Sequence, residues 1–405
     1  MSAADASSDT PNPARGVKLA GQFALFAVGI ALFAWVLARA HGELTPERID
    51  DLRAAGPVLV FALAALTAAS FALNGLGWWV ALSPVRRLPL LPTVGVNVAA
   101  TALAYLPGKL SVVFRVLYHK RTDRVPVMQF GGWAAAFTAI TIAGLGPGIA
   151  ASIVYRGDTG PGWWAIAIGG AIVTTAAIVA LARLFDAGPG WRWLERTARR
   201  LPGGPRLVGS APFAHAHTGL RMLAAPRATA AGVAIRFADA LGYAARFLIV
   251  GAVLTEGDHL GGGITLGEAM VAGVGFFLIS ALAPTGPLGL REAATGGLLG
   301  VLVTDGLRLV VVTVSLVELL TAAICGPLAA LFLKRAAGVL RGVTEELRGS
   351  VAVEAELLAT NANSSVGGNQ PDRNHTGPPQ DGQHPATPTD QPAAKPATEP
   401  GSGDH

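Results

Sequence analysis

The chain has 405 residues, of which 51% are apolar and only 14% charged, and its formal net charge is +5. A soluble domain carries about 25% charged residues, so this composition excludes an ordinary cytosolic globular enzyme. The net charge divides sharply: Gly349–His405 holds seven acids and two bases, which leaves +10 on an apolar remainder.

Residues 1–17 are polar and read as a cytoplasmic N-terminal segment. Leu19–Ala38 follows, long enough for a hydrocarbon core about 30 Å thick that needs about 20 helical residues per crossing. It is longer than a signal-peptide core, so although Ala38-Arg39-Ala40 resembles a cleavage site, an uncleaved first span is the preferred reading. Ala54–Leu82 is a second span. Val94–Leu106 is too short to cross, about 20 Å of helix, and it breaks at Leu106-Pro107-Gly108-Lys109 before resuming as Leu110–Tyr118. Val127–Val154 and Trp163–Ala182 are full spans, followed by an Arg-rich loop over 186–227 and another span at Ala228–Leu254. Leu266–Ala283 then runs into Pro284-Thr285-Gly286-Pro287-Leu288-Gly289-Leu290-Arg291-Glu292, resumes for Ala293–Val303 and gives way to a last span, Leu309–Leu333. Residues 336–405, rich in Pro, Gly, Asn, Gln and Thr with almost no aromatics, cannot offset ordering entropy by burial and read as a disordered cytoplasmic tail.

Lys and Arg in connecting segments resist translocation. Lys109–Arg124 has five bases to one acid and Asp186–Arg227 seven Arg to two acids, so both belong in the cytoplasm. Arg39–Ala55 is net −1 and Thr255–Thr265 holds only Glu256 and Asp258, so both belong outside. Trp78-Trp79, Trp191 and Trp193 then fall near one membrane surface and Trp163-Trp164 near the other, as an aromatic belt or as packing residues.

Pro removes an amide donor, and broken backbone survives in a membrane only where it is buried in protein or wet. The two broken segments therefore imply a polar interior. Span, span, broken pair, span occurs in 18–155 and again, pointing the opposite way, in 156–335. The expected fold class is an all-α polytopic membrane protein with about six full spans and two re-entrant broken helix pairs arranged as an inverted repeat, a plan that places a site near mid-bilayer. A loop between full spans at 284–292 satisfies the same charge rule.

Candidate site residues follow from depth and charge. Arg115 and Arg291 lie on the returning arms of the breaks, where a guanidinium beside unpaired amides suits a phosphate or carboxylate. Pro107, Gly108, Lys109, Gly289 and Glu292 complete this substrate-binding set, with Lys109 a point charge and Glu292 also a structural partner for Arg291. Lys109 and Arg115 have a second reading as interfacial anchors. Arg236, Asp239 and Arg246 share one face of their span, and Glu318 sits mid-span. Ionisable groups at that depth are costly unless paired or facing water, so these are candidates for coupling or for lining a cavity, with Arg236–Asp239 as a structural pair the alternative. Asn74, Asn97 and Tyr105 are further candidates for the same cavity.

Enzyme signatures are missing: no HExxH, Walker-type loop, GxSxG elbow or GxGxxG after a strand is present. The single cysteine, Cys325, excludes an intrachain disulfide and a thiolate metal cage. His215 and His217 have no third ligand nearby. No cofactor, metal or catalytic residue is expected, and nothing resembles the basic, aromatic-interleaved face of a nucleic-acid binder.

The segments LPGKLSVVFR (106–115) and PTGPLGLREAA (284–294) resemble the paired motifs of the lysylphosphatidylglycerol synthase transmembrane-region family, flippase-like membrane proteins of bacteria and archaea. The resemblance covers residues 18–335. Ser111 stands where that pattern usually has Gly, and Thr285-Gly286-Pro287 is a variant approach to the second motif. The resemblance implies a lipid translocator; the 71 residues after Lys334 do not accommodate the synthase domain fused to some members, so synthase activity is not expected. The expected function is movement of a lipid or lipid-linked headgroup, an anionic phospholipid or a polyprenyl-phosphate carrier, across a bacterial plasma membrane. Both termini are expected in the cytoplasm, with a homo-oligomer or membrane-enzyme partner. Two alternatives stand beside it: a non-catalytic membrane subunit whose Arg-rich loop recruits a lipid-modifying enzyme, and a membrane glycosyl- or aminoacyl-lipid transferase.

Overall fold

The computed structural model describes residues 13–106, 110–155, 159–186, 188–200, 204–255, 264–282, 288–299 and 307–333. Within these the chain is an all-α polytopic membrane protein. Six helices are long and apolar enough to cross a bilayer: α1 (Pro13–His41), α2 (Pro46–Leu82), α5 (Val127–Tyr155), α6 (Pro161–Asp186), α10 (Pro226–Thr255) and α13 (Leu307–Phe332). Between them lie α3 (Leu90–Ala104), α4 (Leu110–Thr122), α7 (Pro189–Arg199), α8 (Gly204–Val208), α9 (Ala211–Ala224), α11 (Leu266–Leu282), α12 (Leu290–Ala293) and a π-helical turn at Ala294–Leu299. Large apolar side chains face outward along the spans, Phe61, Val173 and Leu331 among them. A water-soluble protein would not tolerate so much exposed apolar surface.

Local chemistry sets the helix ends. Thr45 caps α2 by accepting a hydrogen bond from the Arg48 amide, with Pro46 in the first turn. α2 is in fact two helical pieces: Gly56 adopts φ 30° and ψ −121°, and Pro57 supplies no amide donor and starts the spanning part. α5 and α13 each carry an internal proline, Pro147 and Pro327.

The first broken pair turns back. α3 packs against α4, and the Arg86 guanidinium, before α3, donates to the Arg124 carbonyl, after α4, at 3.2 Å. The hairpin therefore begins and ends at the same end of the bundle. In the second pair α11 packs against α12 and the π-helical turn. The returning arm starts earlier than the sequence suggests, at Leu290, because the Glu292 carboxylate folds back to accept the Gly289 amide at 2.6 Å and caps the new helix. Its expected continuation to Val303 lies partly outside the described residues.

The neighbour pattern is that of an inverted repeat. α2 packs on α10; α3 packs on α13 as α11 packs on α5; α2 touches α3 as α10 touches α11; and α5 lies on α6 as α13 lies on α1. Landmarks recur 180 residues apart: Leu110 and Leu290 open the returning arms, Val127 and Leu307 open the next spans, and Pro147 and Pro327 interrupt those spans. The core is shared between the halves: Leu63 of α2, Leu145 of α5, Phe247 of α10, Phe276 of α11 and Val311 of α13 join one buried cluster. Close approach is needed where α5 crosses α10, since a Cβ on Gly144 would meet the Arg236 Cβ at 2.6 Å.

Two tryptophan pairs divide differently from a membrane belt. Trp78 and Trp163 are buried, with Trp78 in an aromatic cluster with Phe130, Trp133 and Phe137, whereas Trp164 and Trp193 are at least partly exposed. Packing therefore claims Trp78 and Trp163, while Trp191 is half-buried.

Candidate functional site

Helical spacing brings the site's charges together. Arg236, Asp239, Tyr243 and Arg246 fall three, four and three residues apart, so one face of α10 carries all four. α2 meets that face with Thr67 and Ser70, one turn apart. Ser70 donates to Asp239, whose other carboxylate oxygen accepts from Arg236, while Thr67 accepts from Arg246 at 3.3 Å. These contacts run along α2 and α10 in opposite senses.

Glu318 is the junction. It lies eleven residues into α13, about 16 Å at 1.5 Å per residue and so near the middle of a ~30 Å hydrocarbon layer. One of its oxygens accepts from Arg291 at 2.7 Å and from the Tyr105 hydroxyl at 2.7 Å, and the other accepts from Arg246 at 3.0 Å. Tyr105 closes α3 and Arg291 opens the returning arm after α11, so one carboxylate ties both broken segments to a span.

Arg291 is the most completely engaged cation. Its Nε and Nη2 donate to one Glu292 oxygen at 3.0 and 2.8 Å, the same oxygen accepts from Ser315 at 2.8 Å, and Ser280 and Ser315 lie at 3.4 and 3.5 Å from the guanidinium. The Phe276 ring sits beneath it at 3.8 Å. The Arg291–Glu292 pairing read from the sequence is present, and Glu318 adds a second anion.

Arg236 and Arg246 are engaged on one side only. Each is 0% exposed, yet Nε and Nη2 of both have no hydrogen-bond partner among the described residues. Their other contacts are aromatic: Arg236 lies 4.7 Å from the Phe277 ring and 5.5 Å from Phe137, and Arg246 lies 4.0 Å from Tyr243. Such faces stabilise a desolvated guanidinium without using its N–H groups.

Arg115 stands apart from Arg291. It is half-buried on α4 and stacks over Trp78 at 5.5 Å, and Trp78 stacks on Phe137 at 4.5 Å. A track of two cations with two stacked rings between them, Arg115, Trp78, Phe137 and Arg236, thus runs from the basic end of the bundle toward the interior. Pro107, Gly108 and Lys109 lie outside the described residues. Gly289 is in place, with φ 84° and its amide on Glu292, directly against the Gly29 carbonyl of α1. Asn97 donates to the Thr93 carbonyl within its own helix at 2.9 Å, whereas Tyr105 does reach the site. His217 bonds the Asp186 carbonyl in the segment between α6 and α10. No group of three or more metal-ligating side chains occurs among the described residues.

Sequence reasoning missed Ser70, Thr67, Ser280 and Ser315. A signal existed for three of them: Ser315 is one turn before Glu318, and Thr67 and Ser70 form a polar stripe with Asn74 on an otherwise apolar span. Comparison with known proteins finds no matching family model, no similar curated protein and no similar solved structure.

Proposed function

We propose that this chain is a translocator of lipid or lipid-linked headgroups, of the kind implied by its resemblance to the lysylphosphatidylglycerol synthase transmembrane-region family, acting in a bacterial plasma membrane without catalysis of its own. The observation that carries the reading is the pair of buried guanidiniums on α10 whose Nε and Nη2 groups have no acceptor among the described residues, at a depth where an unsatisfied donor is expensive. A headgroup's phosphate oxygens are suitable acceptors. Arg115 on its aromatic platform receives the headgroup at the basic end; Arg236 and Arg246 hold it in the interior; the acyl chains stay in lipid. Movement of one half against the other, with α2 and α10 as the contact, exposes the interior to each side in turn.

The test is leaflet exchange in reconstituted vesicles with fluorescent phosphatidylglycerol, aminoacyl-lipid and polyprenyl-phosphate substrates. Wild type exchanges at least one of them faster than protein-free vesicles, and Arg115→Ala and Arg246→Gln slow that exchange at least about tenfold, equivalent to about 1.4 kcal/mol. Equal rates in all three proteins remove the reading. A second reading, a membrane subunit that docks a lipid-modifying enzyme, is favoured by the exposed Arg192, Arg196 and Arg199 on one side of α7. It predicts that neutralising those three side chains abolishes function while Arg246→Gln does not.

A further inference from the structure

The buried charges of the interior cancel. Arg236, Arg246 and Arg291 face Asp239, Glu292 and Glu318, and all six are at most 5% exposed. Of the other buried titratable side chains among the described residues, the tyrosines Tyr105, Tyr118 and Tyr243 are neutral, and His119 pairs with Asp123 at 2.6 Å at the basic end. The hydrogen-bond balance of the six is one-sided. All six carboxylate oxygens accept at least one bond, from Ser70, Arg236, Gly289, Arg291, Ser315, Tyr105 or Arg246. Of these six side chains, the atoms without a partner among the described residues are donors alone, Nε and Nη2 of Arg236 and of Arg246.

From this pairing of zero net charge with surplus donors, we infer that the translocated headgroup is a zwitterion, a phosphodiester carrying its own ammonium, rather than a net anion. The phosphodiester oxygens satisfy the guanidinium N–H groups of Arg236 and Arg246. An anion alone would leave one uncompensated negative charge in a low-dielectric interior, the configuration that is most costly to bury. The ammonium removes that charge and donates to the second lone pairs that both Asp239 oxygens and Glu318 Oε2 retain. Arg115 is not a member of this set: it is half-buried on α4 over Trp78 at 5.5 Å, its Nε has no partner among the described residues, and it bonds none of the six. The inference rests on the translocator reading for where the headgroup sits, and not for its charge.

The experiment measures binding and movement separately. Binding of short-chain phosphatidylethanolamine, phosphatidylglycerol and a neutral glucosyl diacylglycerol to the detergent-solubilised full chain reads the charge class. Wild type binds the ethanolamine lipid at least about tenfold more tightly than the glycerol lipid, and Asp239→Asn, which leaves the interior at +1, narrows or reverses that ratio. Phosphatidylglycerol binding as tightly as phosphatidylethanolamine in wild type, or no binding of either, overturns the inference, as does a glucosyl lipid that matches the ethanolamine lipid. The wild-type ratio decides the matter even if Asp239→Asn does not fold. Fluorescent versions of the same lipids in vesicles then separate the two claims: selective binding without accelerated exchange leaves the charge class standing and removes translocation.

Discussion

Glu318 holds the interior together because its two oxygens engage different arginines on different elements. Removing one partner of a buried ion pair leaves uncompensated charge and costs about 3–5 kcal/mol. Glu318→Ala should therefore lower the melting temperature of the detergent-solubilised protein strongly, and Glu318→Gln, which keeps an acceptor for Tyr105, less so. Tyr105→Phe removes a single hydrogen bond to a charged acceptor and should cost about 1.5–3 kcal/mol. Most of these residues were legible in the sequence, since an ionisable side chain in a span stands out against its apolar neighbours. What the sequence could not show is which carboxylate meets which cation: Arg291 meets Glu318 only because α12 folds back beside α13. The serines that complete the network were hidden because hydroxyls are common in spans and ordinarily bond their own helix, as Thr313 and Thr321 do here.

At the level of elements, the start of the spanning part of α2 and the start of α12 each depend on a glycine with positive φ, in two different environments. A Cβ at Gly56 would meet nothing within 4 Å, so Gly56→Ala carries the positive-φ backbone penalty alone, about 1–3 kcal/mol. A Cβ at Gly289 would collide with the Gly29 carbonyl, so Gly289→Ala adds overpacking of about 1–3 kcal/mol to the same penalty. Side-by-side melting of the two variants should show the larger loss at Gly289, and an equal loss would contradict the α1 contact. The six spans and the first hairpin were readable because length, hydropathy and the Pro-Gly break act locally. The start of α12 was not, because it is set by Glu292 reaching back to an amide. Nor were α7, α8 and α9 separable in the Arg-rich loop, where tertiary contacts such as Trp191 on Phe213 at 4.8 Å organise short helices.

For the whole molecule, the two halves exchange neighbours as an inverted repeat should, and the charged interior lies where they meet. That geometry depends on α3 and α4 entering and leaving at one end. Thiol labelling of intact vesicles with a membrane-impermeant reagent tests it, using single cysteines at Arg87, Lys120 and Asp50 in a Cys325→Ser background. Arg87→Cys and Lys120→Cys should react from the same side of the membrane and Asp50→Cys from the opposite side. Reaction of Lys120→Cys from the Asp50 side would mean that this segment crosses completely, and the interior site would have no structural basis.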